Sequence, residues 1–210
     1  MPTIVAFVSQ KGGVGKSTLA RSLAVVGVEV GLRVRLADLD PQQRTLVRWA
    51  CAREQSRVAP AVEVTAIDSA RVALSNGRDV DLLVLDLPGQ LDNSFVEVAA
   101  GAQLIVQPTS PSIDDLHPAL LVFDALKRVQ APPERMAFAL CRVLGEREAE
   151  TTRDYLRGRG YTVLRSAIHG RALSETRQQS LNTAAREMML DLLDRALSAT
   201  AALEVPARAT

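Results

Sequence analysis

A glycine-rich segment near the beginning of the chain combines the residue types that bind phosphate groups. Residues 10–18 read Q-K-G-G-V-G-K-S-T and follow a β-branched, apolar run over residues 3–8. Glycines allow several backbone N–H groups to point at one anion, and the N-terminus of a following helix adds a favourable dipole. In such a loop Lys16 would reach the β- and γ-phosphates of a nucleotide, and the Ser17 hydroxyl would ligate Mg²⁺.

This loop departs from the strict pattern G-x-x-x-x-G-K-[ST] at one position. Gln10 stands where the first glycine belongs, and an additional lysine, Lys11, follows it. The strand before the loop and the helix after it favour a phosphate loop over a chance glycine-rich turn. The residues expected to hold the nucleotide here are Gly12, Gly13, Val14, Gly15, Lys16, Ser17 and Thr18.

Two acidic motifs follow other apolar runs. Asp86 ends the run L-L-V-L-D, where a carboxylate could hold the hydration shell of Mg²⁺. The segment D-L-D-P-Q over residues 38–42 carries a second acidic pair. Side chains two positions apart on an extended strand point the same way, so Asp38 and Asp40 could both face the metal.

Short β-rich runs alternate with longer helical stretches, which predicts a mostly parallel, twisted sheet with helices on both faces. The strands are expected over residues 3–8, 34–37, 62–67, 82–87, 103–107, 136–141 and 161–164. Helices are expected over residues 17–28, 46–53, 94–100, 112–129, 147–159 and 181–197, with another that Asp68 caps and that ends at Ser75. The fold class is therefore α/β, and the glycine-rich loop after the first strand indicates P-loop NTPase architecture. One domain is expected over residues 1–200, with a disordered tail over 201–210.

The composition excludes several other kinds of protein. The formal net charge is +1 and aromatic residues make up 3%, which argues against a nucleic-acid wrapper and a base-stacking surface. The two cysteines, Cys51 and Cys141, cannot form a disulfide framework or a four-thiolate metal site, and both are expected to be buried or half-buried. No signal peptide and no membrane-length apolar run is evident, so a cytoplasmic location is expected.

The motif K-G-G-x-G-K-[ST]-T resembles the deviant Walker A signature of the ParA/MinD ATPases. The resemblance implies binding of ATP or ADP with Mg²⁺ and an ATP-dependent homodimer. In that family the early lysine, here Lys11, reaches across the dimer to the partner's phosphates. Residues 38–42 resemble the family's D-x-D-P-Q motif, so Asp40 would orient or activate the attacking water and Asp38 would lie near the Mg²⁺ shell. Asp86 would be the Walker B carboxylate.

A later segment resembles the part of these ATPases that flanks the adenine. It covers residues 107–116, in which Pro108 is the candidate for the base pocket and Asp114 a candidate for the dimer interface. A proline-rich turn with Ser112 as a helix N-cap explains the same residues, and the two readings are compatible.

The closest resemblance is to small plasmid-partition ParA proteins that lack an N-terminal DNA-binding domain, because the first strand begins at about residue 3. This implies non-specific, nucleoid-associated DNA binding, slow intrinsic ATP hydrolysis and stimulation by a ParB-like centromere-binding protein. Alternatives keep the ATPase but change its target, to a chemoreceptor cluster, a microcompartment or, as in MinD, a membrane. The apolar stripe of the last helix favours core packing over membrane binding. A metabolic ligase stays open, whereas the cysteine positions argue against a shared iron–sulfur cluster.

The charge distribution suggests where DNA would bind. Residues 135–186 carry ten arginines and five acidic residues, while residues 1–134 carry 13 basic and 15 acidic residues. A modest basic patch, doubled in a dimer, suffices for salt-sensitive phosphate binding. The candidate contacts are Arg165, Arg171, Arg177 and Arg186.

Overall fold

The computed structural model describes residues 1–89, 94–170 and 181–204. The strands are β1 (Thr3–Phe7), β2 (Val34–Asp38), β3 (Glu63–Ala66), β4 (Leu82–Asp86), β5 (Leu104–Thr109), β6 (Met136–Val143), β7 (Thr162–Val163) and β8 (Ile168–His169). The helices are α1 (Lys16–Glu29), α2 (Thr45–Gln55), α3 (Ala70–Asn76), α4 (Ser94–Gly101), α5 (Ile113–Arg128), α6 (Glu146–Arg157) and α7 (Thr183–Glu204), with a 3₁₀ turn at Pro133–Arg135.

The strands form one parallel sheet in the order β3-β2-β4-β1-β5-β6-β7, and β8 pairs with β6 beyond the end of β7. β1 lies in the middle, between β4 and β5. From β1 the chain crosses to β2 on one side, whereas from β4 it crosses over β1 to β5 on the other, so the direction of the connections changes between the neighbouring strands β4 and β1. Ligands of open α/β sheets bind outside the carboxyl ends of the strands at such a point. The predicted fold class, a parallel sheet covered by helices on both faces, is confirmed.

The core consists of two apolar layers, one on each face of the sheet. Successive residues of β1 alternate between them: Ile4 and Ala6 pack on one face, and Val5 and Phe7 on the other. The second layer is completed by α1 and α7, whose buried residues include Leu23. A β1 that is buried on both faces gives the phosphate loop that follows it a rigid base.

The C-terminal helix continues to Glu204, beyond the end at residue 197 that the sequence predicted. Residues 201–204 are thus helical where a tail was expected, and residues 205–210 lie outside the described part of the chain. The apolar stripe of α7 is buried against the core, as its pattern favoured; it includes Met188, Met189, Leu192 and Leu193. Among the described residues, no helix combines the length and apolar character that a bilayer span requires.

Three local expectations are corrected. Ser69, not Asp68, precedes α3 as its N-cap residue, and Asp68 instead forms an ion pair with Arg44. Cys51 is exposed rather than half-buried, whereas Cys141 is buried as expected. The sequence pattern also missed β8, since two residues are too few to show a period.

Tyr161 contacts α5 and makes the stability of the fold depend on pH. Its hydroxyl donates to Asp124 Oδ1 over 2.8 Å, and its ring lies edge-on to Phe138 at 5.3 Å. Burial, together with Asp124, raises the pKa of Tyr161 from 10 to about 12. The neutral phenol is therefore favoured in the folded state more than in the unfolded state.

We expect the stability that Tyr161 contributes to be present below pH 10 and to be lost as pH rises towards 12, because the unfolded tyrosine ionises first. Urea unfolding between about pH 9 and 11 measures this loss. Tyr161→Phe should reduce the slope of stability against pH in that range. Tyr155→Phe, which removes the other tyrosine, is the matched control, and an equal effect of both changes would contradict the assignment.

Candidate functional site

A cavity of about 940 Å³ opens beside the carboxyl end of β1. The loop over residues 9–18 forms one wall, and Asp40, Gln43 and Thr45 contribute a second. Arg142, at the end of β6, contributes to the side beyond the loop. The sheet therefore brings together, at one edge, segments that lie more than 100 residues apart in the sequence.

The phosphate loop leaves backbone donors free for an anion. Gly13 and Gly15 have φ values of 77° and 113°, a left-handed conformation that glycine adopts without steric cost. α1 begins at Lys16, and no side chain caps its N-terminus. The first turn of α1 contains no acidic residue either, so its N–H groups and dipole are available to a phosphate.

The predicted loop residues mostly meet at the cavity. Those that line it are Lys11, Gly12, Gly13, Gly15, Lys16, Ser17 and Thr18. Val14 does not line it, since its side chain is buried with 3% exposure. Val14 can contribute to a nucleotide site only through its backbone.

Lys16 and Asp86 form a buried ion pair beneath the loop. Lys16 Nζ lies 2.7 Å from Asp86 Oδ1, with side-chain exposures of 12% and 1%. The Ser17 side chain lies close to the same carboxylate. Burial raises the pKa of Asp86 above its ordinary value, and Lys16 and Ser17 oppose that rise by favouring the charged form. Lys16 thus favours the charged form of Asp86, whereas burial alone favours the neutral acid.

The second oxygen of Asp86 fits the chemistry of a Mg²⁺ site. Asp86 Oδ2 is buried and has no hydrogen-bond partner, which is costly unless water or a cation satisfies it. Mg²⁺ usually keeps several waters and takes one or two protein oxygens besides the phosphates of a nucleotide. Asp86 and the Ser17 hydroxyl are the groups that could hold such an ion and its water. No cluster of three or more His, Cys, Asp or Glu residues with metal-site geometry occurs in the described ranges.

Asp38 and Asp40 have different surroundings, although the sequence predicted that they would face the same way. Asp38 is fully buried beside Asp86 in the β2–β4 register, and its Oδ2 accepts from Leu46 N and Val47 N at 3.0 and 3.2 Å. Asp38 therefore acts as a capping carboxylate for the first turn of α2. Asp40 lies beyond the end of β2, where its side chain no longer follows the strand alternation.

Asp40 stands at the wall of the cavity with one oxygen engaged in a turn. Its Oδ1 accepts from Gln42 N and Gln43 N at 3.0 and 2.9 Å. This turn fixes the carboxylate at the point where the D-x-D-P-Q segment enters α2. Asp40 is thus the acidic residue of this segment that faces the cavity.

Lys11 is oriented differently from Lys16. Its ammonium pairs with Asp115 and donates to the Asp114 backbone carbonyl over 3.1 Å, both at the start of α5. The Lys11 side chain is 41% exposed, compared with 12% for Lys16. Burial raises the pKa of Asp115, but hydrogen bonds from Lys11 and Ser110 outweigh it and lower that pKa overall. One loop lysine thus points into the fold and the other lies at the surface.

The remaining candidates are placed less favourably. Pro108 is buried within β5, opposite Ala139, and is not among the residues found to line the cavity. Ser112 caps α5, accepting from Asp114 N at 3.3 Å, as the turn interpretation predicted. Asp114 itself is exposed.

Two of the four predicted DNA contacts can be located. Arg165 is exposed next to β7. Arg186 is also exposed, but its guanidinium pairs with Glu29 of α1, so part of its charge is already balanced. Arg171 and Arg177 lie outside the described residues.

Sequence reasoning missed Arg21 and Arg142, which also line the cavity. Arg21 lies on α1, one turn beyond the loop, where helical spacing from Ser17 could have indicated it. Arg142 follows a buried strand residue, and nothing in its neighbourhood distinguishes it from the other arginines. Contact across more than 120 residues is not visible in a single sequence.

Comparison with known proteins shows which families and proteins this chain resembles. A family model for the CobQ/CobB/MinD/ParA nucleotide binding domain matches residues 5–180. The chain is 34% identical over 139 residues to the maintenance of carboxysome distribution protein A of Gloeobacter kilaueensis, and 33% identical over 118 residues to Protein ParA of Rhizobium radiobacter. These regions cover 61% and 55% of this chain, and 62% and 51% of those relatives. The chain therefore matches only part of their length.

Solved structures share the fold at low identity. A putative plasmid partition protein of Borrelia burgdorferi B31 bound to AMPPNP has a TM-score of 0.71 at 18% identity, covering 94% of this chain and 99% of that one. The septum site-determining protein MinD of Pyrococcus horikoshii OT3, complexed with Mg-ADP, has a TM-score of 0.70 at 17% identity, with full coverage of both chains (100% each). Cobyrinic acid a,c-diamide synthase of Mycobacterium smegmatis, with bound ATP analogue and magnesium, has a TM-score of 0.68 at 17% identity, covering 94% and 96%.

Replacing Lys16 with Ala is expected to abolish nucleotide binding and to lower the free energy of unfolding by about 3 kcal/mol, since it leaves Asp86 buried without its partner. Calorimetric titration with ATP and urea unfolding measure the two effects. The double change Lys16→Ala with Asp86→Asn should recover most of the stability but none of the nucleotide binding. Normal ATP affinity in Lys16→Ala would remove this loop from the nucleotide site.

Proposed function

Because this chain belongs to the CobQ/CobB/MinD/ParA nucleotide-binding family, we propose that it is a ParA-type ATPase that works as an ATP-dependent dimeric switch. The observation that carries the proposal is the divergence of the two loop lysines. Lys16 is largely buried against Asp86, whereas Lys11 lies at the surface beside α5, where a second copy could reach it. A P-loop enzyme that works as a monomer has no need for the second lysine.

The residues of the site divide the work of ATP hydrolysis among them. The loop amides and Lys16 bind the phosphates, and Asp86 and Ser17 hold the shell of the Mg²⁺ ion, which when bound neutralises charge on the β- and γ-phosphates. Asp40 orients the attacking water from the cavity wall. Lys11 of the partner copy offsets charge that develops on the transferred phosphoryl group.

In the single chain, Lys11 is held beside α5 by Asp115 and by the Asp114 carbonyl. A contact with a partner's phosphates would compete with this ion pair for the same ammonium. The isolated chain therefore keeps this lysine in place without exposing an unpaired charge. Dimer formation exchanges the Asp115 carboxylate for the more highly charged phosphates of a bound nucleotide.

The proposed target of the dimer is DNA, bound without sequence preference, in the partition of a plasmid or chromosome. The similarity to Protein ParA of Rhizobium radiobacter and the arginine excess over residues 135–186 support this target. A ParB-like centromere-binding protein would stimulate hydrolysis and so release the DNA. Positioning of a protein cargo is the second candidate, favoured by the similarity to a carboxysome distribution protein.

The test is binding of a random-sequence duplex at several salt concentrations, with ATP, with ADP and without nucleotide. We expect tight binding only with ATP, falling steeply as salt rises, because arginine contacts with phosphates release counterions. Lys11→Ala should still bind ATP but should remain monomeric in analytical ultracentrifugation and gain less than about a tenfold increase in DNA affinity from ATP. DNA binding that ignores ATP would contradict the switch, and a normal ATP-dependent Lys11→Ala dimer would contradict the role of Lys11.

Asp40→Ala is expected to bind ATP and dimerise but to hydrolyse ATP at least about tenfold more slowly, because the attacking water loses its orienting carboxylate. Asp40→Asn is the matched variant, since its amide oxygen can still accept from Gln42 N and Gln43 N and keep the turn. Steady-state phosphate release measures both. Slow turnover in Asp40→Asn as well would show that the charge is needed and not only the turn, whereas wild-type turnover in Asp40→Ala would contradict the role of Asp40.

A further inference from the structure

Arg142 has a backbone conformation that its residue type seldom adopts. Its φ is 59°, in the left-handed region, and it lies where the pairing of β6 with β8 shifts register between Cys141 and Val143. Both of these neighbours are buried, whereas Arg142 is exposed. Irregularities of this kind turn a side chain away from the sheet, and non-glycine residues with positive φ are concentrated at functional sites.

The side chain that this irregularity redirects reaches the phosphate loop. Arg142 Nη2 donates a hydrogen bond to the Gly13 carbonyl, 129 positions away in the sequence. A Cβ added to Gly13 would lie 3.7 Å from the same Nη2 atom, so the guanidinium sits directly against this glycine. Arg142 also lines the cavity together with the loop.

Planarity of the peptide bond gives this contact a consequence for the loop. The Gly13 carbonyl and the Val14 N–H belong to one trans peptide unit, in which they point in opposite directions. A cationic donor that holds the carbonyl on one side therefore holds the Val14 N–H on the other. Gly13, with φ of 77° and no Cβ, has little steric resistance of its own to rotation of this unit.

We propose that Arg142 is a positioning residue of the nucleotide site, which fixes the Gly13–Val14 peptide unit so that its amide is ready for a nucleotide phosphate. The inference rests on the proposed ATPase function and adds a residue to that site. Arg142 acts through the backbone of the loop, and the hydrogen bond is charge-assisted, which makes it stronger than one between neutral groups. The left-handed conformation at Arg142 is the cost of aiming the side chain at Gly13.

The experiment separates the side chain from the backbone conformation. Arg142→Gly removes the guanidinium while accepting the positive φ without strain. Gln130→Gly is the matched control, because Gln130 has a φ of 63° and is exposed after α5, away from the cavity. For both variants and the wild type, calorimetry gives the affinities for ATP and ADP, and thermal unfolding without nucleotide gives the melting temperature.

We expect Arg142→Gly to bind both nucleotides at least about tenfold more weakly, with a melting temperature no lower than that of the wild type. Gln130→Gly should keep wild-type affinity. Arg142→Lys should recover part of the lost affinity, because its ammonium can donate to the same carbonyl but lacks the shape of the guanidinium.

Two results would overturn the role of Arg142 while leaving the ATPase in place. One is unchanged nucleotide affinity in Arg142→Gly. The other is a loss of nucleotide affinity together with a lower melting temperature, which would indicate that Arg142 contributes only to packing. Failure of the wild type itself to bind ATP would instead overturn the proposed function, and the inference with it. The wild-type titration thus distinguishes the two failures.

Discussion

The site is organised around one buried charge. Asp86 ends strand β4, which lies next to the central strand β1, with an exposure of 1%, where a carboxylate is unfavourable without a cation. Lys16 supplies that cation from the first residue of α1. The contact fixes the start of α1 over the end of β4, and with it the loop that connects α1 to β1. The position of the loop therefore depends on an interaction that also holds the two elements together.

The neighbouring acid, Asp38, extends this arrangement to the next strand. It is paired in register with Asp86 and uses its carboxylate to accept from the first turn of α2. A displacement of the carboxyl ends of β2 and β4 would therefore change the orientation of α2, because the Asp38 carboxylate is hydrogen-bonded to that helix. Asp40 at the cavity wall and the cap of α2 belong to one continuous segment. This continuity gives the cavity wall a structural link to α2.

The outer side of the loop is held by contacts of a different kind. Lys11 pairs with Asp115 of α5, and Arg142 of β6 donates to the Gly13 carbonyl. Both contacts come from the side of the sheet beyond β5, whereas Lys16 and Asp86 hold the loop from the side of β4. The loop is thus held from two sides, with a buried ion pair on one and more exposed contacts on the other. The Lys11–Asp115 pair is exposed on its lysine side, so it can be exchanged at a lower cost than the pair of Lys16 with Asp86.

The sequence by itself determined the fold class, the family resemblance and the inner half of the site. β-branched runs fixed the strands, and glycines next to Lys16 and Ser17 indicated a phosphate loop, because these features depend on local conformation and spacing. The tertiary structure decided which groups meet. It separated Asp38 from Asp40, left Pro108 inside β5, paired Arg186 with Glu29 and brought Arg142 to Gly13. Such contacts depend on strand order and on a local irregularity in β6, and neither produces a periodic pattern in the sequence.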